Sequence, residues 1–192
     1  MTHTCAALKS ETGSTIVVAL MIIAIISILA ISDIYSSFTE TNIASQDVRY
    51  KMAFYRADGG TELAAELLEQ NVNCAAGFTN STIGDVAVDV PDFWLNLSAD
   101  TPGDTNRDFH FPSGYSPGEP HTNVTVGGNT ALSTGGAIQM AAGYEGKGKG
   151  AGAGGAHIAY DIVSGHSGFF NSRAVVRLQW RHAIGQEGPC LY

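Results

Sequence analysis

An unbroken apolar run from Ser14 to Ser32 constrains this chain more than any other feature. It follows a polar stretch of thirteen residues ending at Gly13, and it meets no charge until Asp33. Ile16 to Ile31 reads IVVALMIIAIISILAI, in which Ser27 is the one polar side chain; a serine hydroxyl can bond back to its own helix. As a helix this stretch spans about 25 Å, close to the roughly 30 Å hydrocarbon core of a bilayer. The apolar pattern then continues past the charge. Ile34, Phe38, Ala44, Val48, Met52, Tyr55, Leu63 and Leu67 recur at gaps that suit a 3.6-residue period. Asp47 and Lys51 are spaced to pair on the outer face, a contact worth a few tenths of a kcal/mol. The first interruption is Gly59-Gly60, expected to weaken or bend the helix without ending it. The pattern fades near Asn71 to Cys74. One continuous helix of about 85 Å is expected, most of it outside lipid.

Two simpler kinds of apolar N-terminal segment compete with this reading. A cleaved secretory signal would use Lys9 as its basic region and Ala30-Ile31-Ser32 as its small-residue cut. Its apolar core is normally shorter, and here helical periodicity passes through the supposed cut. The other is an ordinary single-span anchor. Lys9 and His3 are offset by Glu11, which leaves only a thin positive-inside signal. The expected orientation keeps the long C-terminal part outside the cytoplasm.

Charge and composition narrow the rest. The chain of 192 residues has a formal net charge of −8. Its few Lys and Arg are scattered, which gives no electrostatic footprint for nucleic acid. The six His do not cluster at metal-ligand spacing, and no metal or cofactor is expected. Length allows one domain of about 120 residues beyond the helix.

Four parts follow from the pattern: a leader at 1–13, an apolar helical part at 14–32, an amphipathic helical part at 33–74, and a loop-rich β head at 75–192. In the head, Ala75 to Pro120 reads as irregular, with short apolar patches at Val86-Val90 and Phe93-Leu97. Thr122-Val126 and Ala137-Ala142 are candidate strands, and the glycine run Gly143 to Gly155 is too flexible for a strand interior. Ala156-Val163 and Arg173-His182 alternate as stronger strands; in the second, Val176, Leu178 and Trp180 would face a core while Arg177, Gln179 and Arg181 face solvent. Ser164 to Gly168 between them reads as the hairpin turn. The expected fold class is α+β, a long N-terminal helix packed on a small antiparallel sheet. Leu63, Leu67 and Leu68 are the available cover for the sheet's apolar face.

Cys74 lies where the helix should end, Cys190 lies near the end of the sequence, and Cys5 lies in the leader. In an oxidising compartment a Cys74–Cys190 bridge would close a loop of over a hundred residues, for which chain entropy sets an upper figure of about 4 to 5 kcal/mol. The alternative is two free thiols, since two cysteines form no diagnostic pattern.

Catalytic motifs are incomplete. Each Gly-Lys in the glycine run is followed by Gly rather than Ser or Thr, so no phosphate loop is present. Asp104, Asn106 and Asp108 alternate like the start of a calcium loop, but Phe109 replaces the turn glycine and Tyr115 the closing glutamate; a solvated loop is the expectation. His157, Asp161 and Ser164 or Ser167 form a triad only on paper, without a nucleophile elbow. Asn80, Asn96 and Asn123 each begin a glycosylation tripeptide of a kind that arises readily by chance. An enzyme is not expected.

The short leader ending in Gly, the apolar segment, the long amphipathic helix and the antiparallel sheet together resemble the type IV pilin family, and within it the PilX-type minor pilins. The resemblance is clearest from Gly13 to about Glu69. There Gly13-Ser14-Thr15-Ile16-Val17-Val18-Ala19-Leu20 sits like the family's cleavage region and Met52-Ala53-Phe54-Tyr55-Arg56-Ala57-Asp58-Gly59-Gly60 like its Ala/Phe-rich helical segment. The stretch His157-Ile158-Ala159-Tyr160-Asp161-Ile162 and the residues Trp180-Arg181-His182 are similar to longer PilX-like proteins. The resemblance implies that a membrane prepilin peptidase cuts between Gly13 and Ser14. It implies a precursor in the bacterial inner membrane with its head in the periplasm, then a place in the pilus filament or its tip among major and minor pilins. One departure is informative. Major pilins carry Glu at the fifth position after the cut, where this chain has Val18. That carboxylate is read as the partner of a neighbour's N-terminal ammonium; its loss suits a subunit at the tip, and is shared with the K-type minor pseudopilin of type II secretion. A pseudopilin, or a membrane-tethered periplasmic binding domain without a filament, are the alternatives.

Overall fold

The structure, a computed structural model, describes residues 12–72, 74, 76–132 and 156–183. Helix α1 spans Thr12–Asn71, passing unbroken through Gly59-Gly60. Six strands follow: β1 Thr82–Ile83, β2 Val86–Val88, β3 Phe109–Phe111, β4 His121–Leu132, β5 Ala156–Ser167 and β6 Arg173–Ala183. Each pairs antiparallel with the next, so the sheet order is the chain order. The fold is the α+β arrangement expected, one long N-terminal apolar helix and a six-stranded antiparallel sheet. The chain divides into two compact units, residues 1–47 and 48–192.

In the first unit the helix is its own scaffold. Every large apolar side chain from Ile16 to Ile31 is exposed, and the helix is long and apolar enough to cross a membrane. Polar side chains along it turn inward to the backbone: Ser27 Oγ donates to the Ile23 carbonyl at 2.8 Å and Thr39 Oγ1 to that of Tyr35 at 2.9 Å.

In the second unit the helix buries one stripe. Ala53, Ala57, Gly60, Ala64, Leu67 and Leu68 recur at three- and four-residue steps and are all buried. The stripe is small where the sheet comes close and large where it recedes. Ala53 and Ala57 lie with Ala174 and Val176. A Cβ on Gly60 would collide with the Ser164 side chain and lie 3.1 Å from Thr122 Cγ2, whereas one on Gly59 would meet nothing. Further along, Leu67 and Leu68 reach a core of Phe78, Phe93, Phe109, Val124, Val126, Tyr160 and Ile162. Each fully buried leucine of this kind contributes about 1.5–3 kcal/mol. The leucines are the cover that the sequence offered.

Alternation in β6 matches expectation: Ala174, Val176, Leu178, Trp180 and His182 turn to the helix side, while Arg173, Arg177, Gln179 and Arg181 are exposed. Two expectations are corrected. The region read as irregular holds β1, β2 and β3, each of only two or three residues, too short to show a period. The β5–β6 turn is also not at Ser164 to Gly168. Strand β5 continues to Ser167 in register with β6, Ser167 opposite Arg173. The small polar residues there fit close approaches instead: Ser164 lies under Gly60, and Pro102 seats 3.1 Å from where a Gly165 Cβ would be. The true turn is Gly168 to Ser172, closed by the Gly168 amide donating to the Ser172 carbonyl at 2.8 Å. The candidate strand Ala137-Ala142 and the glycine run lie outside the described residues.

Candidate functional site

Gly13, Ser14 and Val18 fall in the first turns of α1, and the surroundings of Gly13 are open. Ser14 and Val18 are one helical turn apart and therefore share a face; Val18 is 52% exposed. A carboxylate at Val18 would stand directly above a new N-terminus at Ser14. Val17, Leu20, Met21 and Ile22 flank Val18 along the helix, so a charge at Val18 would be costly in lipid without a partner.

At the other end of the helix, Cys74 is buried and disulfide-bonded. Asn71 Oδ1 lies 3.3 Å from its sulfur; a disulfide sulfur has no proton to donate, so this is a polar contact rather than a hydrogen bond. Cys190 lies outside the described residues. The end of β6 is close by, since His182 Nδ1 lies 3.4 Å from Glu69 Oε2.

The paper triad does not assemble. His157 and Asp161 are on the outer face of β5, where Asp161 accepts from Gln179 Nε2 at 3.2 Å. Ser164 is on the opposite face, fully buried beneath the helix. The would-be calcium ligands are also spent on protein donors, in two separate networks. Asp108 Oδ2 accepts the Val126 amide at 2.7 Å and its Oδ1 accepts Asn96 Nδ2 at 2.9 Å. Asp104 Oδ1 accepts Asn123 Nδ2 at 2.9 Å and faces His121 Nε2 at 2.8 Å.

Sequence reading missed the larger cluster to which Asp104 belongs, because its members are scattered over more than thirty positions. Arg107 Nε donates to Asp89 Oδ2 at 2.8 Å, and its Nη1 donates to Tyr115 Oη and Asn123 Oδ1. His110 Nδ1 lies 2.7 Å from the same Asp89 oxygen. Tyr115 stacks on His121 with centroids 4.0 Å apart. His121 lies with Nδ1 2.8 Å from the Glu119 carbonyl and Nε2 2.8 Å from Asp104 Oδ1. The cluster holds no nucleophile with a base beside it. Its geometry pins the long loops before and after β3 to the outer face of the sheet.

The two carboxyls carry opposite pH signatures. Hydrogen bonds from Asn123 and His121 hold Asp104 below its ordinary value, so its contribution is present above the unfolded value and lost as pH falls through the folded one. Burial raises Asp108 to about 6 against the opposing donors Val126 and Asn96. A raised carboxyl contributes stability below the unfolded value that is lost as pH rises toward about 6. Asp108→Asn turns one amide hydrogen toward a donor, and an unsatisfied buried donor costs about 1–3 kcal/mol. Urea unfolding of the two proteins between pH 4 and pH 7 is expected to show the gap narrowing as pH rises. An equal gap at every pH would contradict the assignment.

No curated protein and no solved structure matches the chain. Residues 12–62 match the sequence model of the PilX N-terminal family. The match takes in the exposed apolar helix, the Gly13-Ser14 junction, Val18 and the small-residue stripe as far as Gly60, and leaves the sheet outside it. Over that segment the chain is similar to the PilX N-terminal family, which supports a PilX-type pilin.

Proposed function

We propose that the protein is a minor pilin of a type IV pilus, held as a precursor in the inner membrane, cut by prepilin peptidase between Gly13 and Ser14, and then taken into the filament at or near its tip, where it acts in assembly or initiation. The observation that carries this reading is the extent of exposed apolar surface on α1. It does not end with the bilayer-length run. Ile34, Tyr35, Phe38, Ile43, Val48, Tyr50 and Tyr55 are all more than half exposed. A lipid anchor needs about twenty apolar residues; a patch extending well beyond them calls for a protein cover, and the helices of other pilins supply one. Val18 supports the tip position, because a subunit with nothing above it has no neighbouring ammonium to meet. The role is structural rather than enzymatic. An oxidising location for the head fits the disulfide at Cys74. Its partner in this reading is Cys190, seven residues beyond the strand end that Glu69 and His182 bring to the helix terminus.

The mature N-terminus tests the proposal. Mass spectrometry of the protein from sheared filaments is expected to give a chain beginning at Ser14. A chain beginning at Asp33, or one that keeps residues 1–13 and occurs only in membranes, would refute it.

A further inference from the structure

The turn between β5 and β6 is built on an unfavourable residue. Phe170 holds φ 56° and ψ 36°, Asn171 holds φ 62°, and the Ser172 amide donates to the Phe169 carbonyl at 3.2 Å. This is a two-residue hairpin loop of type I′, whose central positions ordinarily take Asn, Asp or Gly. Asn171 is such a residue and Phe170 is not. A bulky side chain in left-handed backbone is strained, and strain of this kind collects at sites of function. Here it holds a ring out in water: Phe170 is 80% exposed, and Phe169 beside it 61%.

The Arg49 guanidinium lies over the Phe170 ring, 4.2 Å from its centroid. At this contact a cavity of about 210 Å³ opens within the unit formed by residues 48–192. Arg49, Met52 and Arg56 line it from α1, and His166, Phe169 and Phe170 from the end of β5 and the turn. Arg49 and Arg56 are seven residues apart, two turns along one face of the helix. Among the described residues neither has a carboxylate partner, whereas Arg107 does, and no Asp or Glu lines the cavity. In a chain of net charge −8, two such arginines around one apolar hollow are a local reversal of sign. His166 adds no charge at neutral pH. Burial and the nearby Arg56 push it down to about 4, and its Nδ1 lies 2.8 Å from Thr122 Oγ1.

We propose that this cavity binds a small organic carboxylate, its acid group met by Arg49 and Arg56 and its apolar body resting on Met52, Phe169 and Phe170. Size and charge set the class. A cavity of about 150 Å³ accepts benzene, so this one has room for one ring, or an aliphatic group of similar bulk, carrying one acid group. The planar guanidinium fork matches a carboxylate. Cation–π attraction explains the strained turn: it holds Arg49 at the cavity while leaving its N–H donors to offer. The site lies in the head and holds whether or not the chain is a pilin.

Benzoate is the probe, with benzamide as the same body without the charge and acetate as the charge without the body. Each is titrated into the full chain in detergent. Proton–nitrogen correlation spectra follow the Arg49 and Arg56 side chains and the amides of Phe169 to Ser172. Benzoate is expected to shift both sets with a dissociation constant of about 1 mM or lower. Benzamide and acetate are expected to bind at least about tenfold more weakly. Arg49→Gln with Arg56→Gln is expected to bring benzoate down to the level of benzamide. Phe170→Gly removes the ring and the strain together, so the melting temperature is expected to hold or rise while benzoate binding weakens several-fold. Equal affinity for benzoate and benzamide in the unaltered chain would overturn the proposal. So would a Phe170→Gly chain that melts lower and binds benzoate as before, because the ring would then serve the turn alone.

Discussion

Phe93→Ala is expected to destabilise the head by about 3–5 kcal/mol, the range for emptying a buried aromatic site. Phe93 is wholly buried although it sits on a single turn of 3₁₀ helix, Phe93–Leu95. It stacks on Phe78 with centroids 5.2 Å apart, meets Trp94 edge-on at 5.8 Å and tilts against Phe109 at 5.6 Å. The ring thus ties its own 3₁₀ turn to the chain leaving the helix and to β3, within the same core that Leu67 and Leu68 enter from the helix. None of these neighbours is flexible enough to collapse into the vacated volume, since Phe78 is fixed by its amide to the Pro91 carbonyl at 2.9 Å and Phe109 by its place in the sheet. Leu95→Ala is the matched control. Leu95 is 65% exposed, and its loss is expected to change stability by less than about 0.5 kcal/mol. Urea unfolding of the full chain in detergent, followed by tryptophan fluorescence, separates the two. Equal effects would mean that the 3₁₀ turn does not anchor the core.

The contrast between Phe93 and Leu95 shows where sequence reading loses its grip. The helix was legible because an unbroken apolar run passes, with no Pro or Gly before Gly59, into a 3.6-residue pattern, and local errors average out over that length. Strands β4, β5 and β6 were legible where alternation persisted, and their helix-facing side was correctly taken from β6. The apolar patch Phe93-Leu97 carries no period, so nothing in it distinguishes the buried Phe93 and Trp94 from the exposed Leu95 and Leu97. Composition misled at Ser164 to Ser167. Serine, glycine and histidine there signal a turn by local preference, but they are small or polar because the helix and Pro102 press against them. That is tertiary context overriding local propensity. The Gly13-Ser14 junction and Val18 could be singled out from sequence because such a reading depends only on distance from an apolar run. The Asp104–His121 cluster and the arginine cavity were not. Both are assembled across strands and turns, and the second adds two residues whose positive φ no sequence pattern announces.

Gly127→Ala is expected to cost about 3 kcal/mol or more, adding overpacking to broken hydrogen bonds. Gly127 is on the outer face of β4, paired with Asp161. A Cβ there would overlap the Ser98 carbonyl carbon and the Ala99 nitrogen, which are backbone atoms that no rotamer change can move. The segment 96–103 would have to lift from the sheet. Lifting it strains the Gly128 amide to Asn96 carbonyl bond of 2.7 Å, the Thr125 hydroxyl to Asp100 carbonyl bond, and the Asn96 to Asp108 bond. Asp108 would then keep its buried charge with one donor fewer, which is the costly direction of change. The same addition at Gly103 or Gly114 meets nothing within 4 Å and is expected to be neutral or slightly stabilising. Amide exchange of the full chain in detergent should therefore rise at Gly128 in Gly127→Ala while the amides of Ala57 to Leu68 keep their protection. If the helix amides lose protection in parallel, the outer loops and the helix-facing core unfold as one unit, and the packing at Ser98 governs the whole head rather than its outer face.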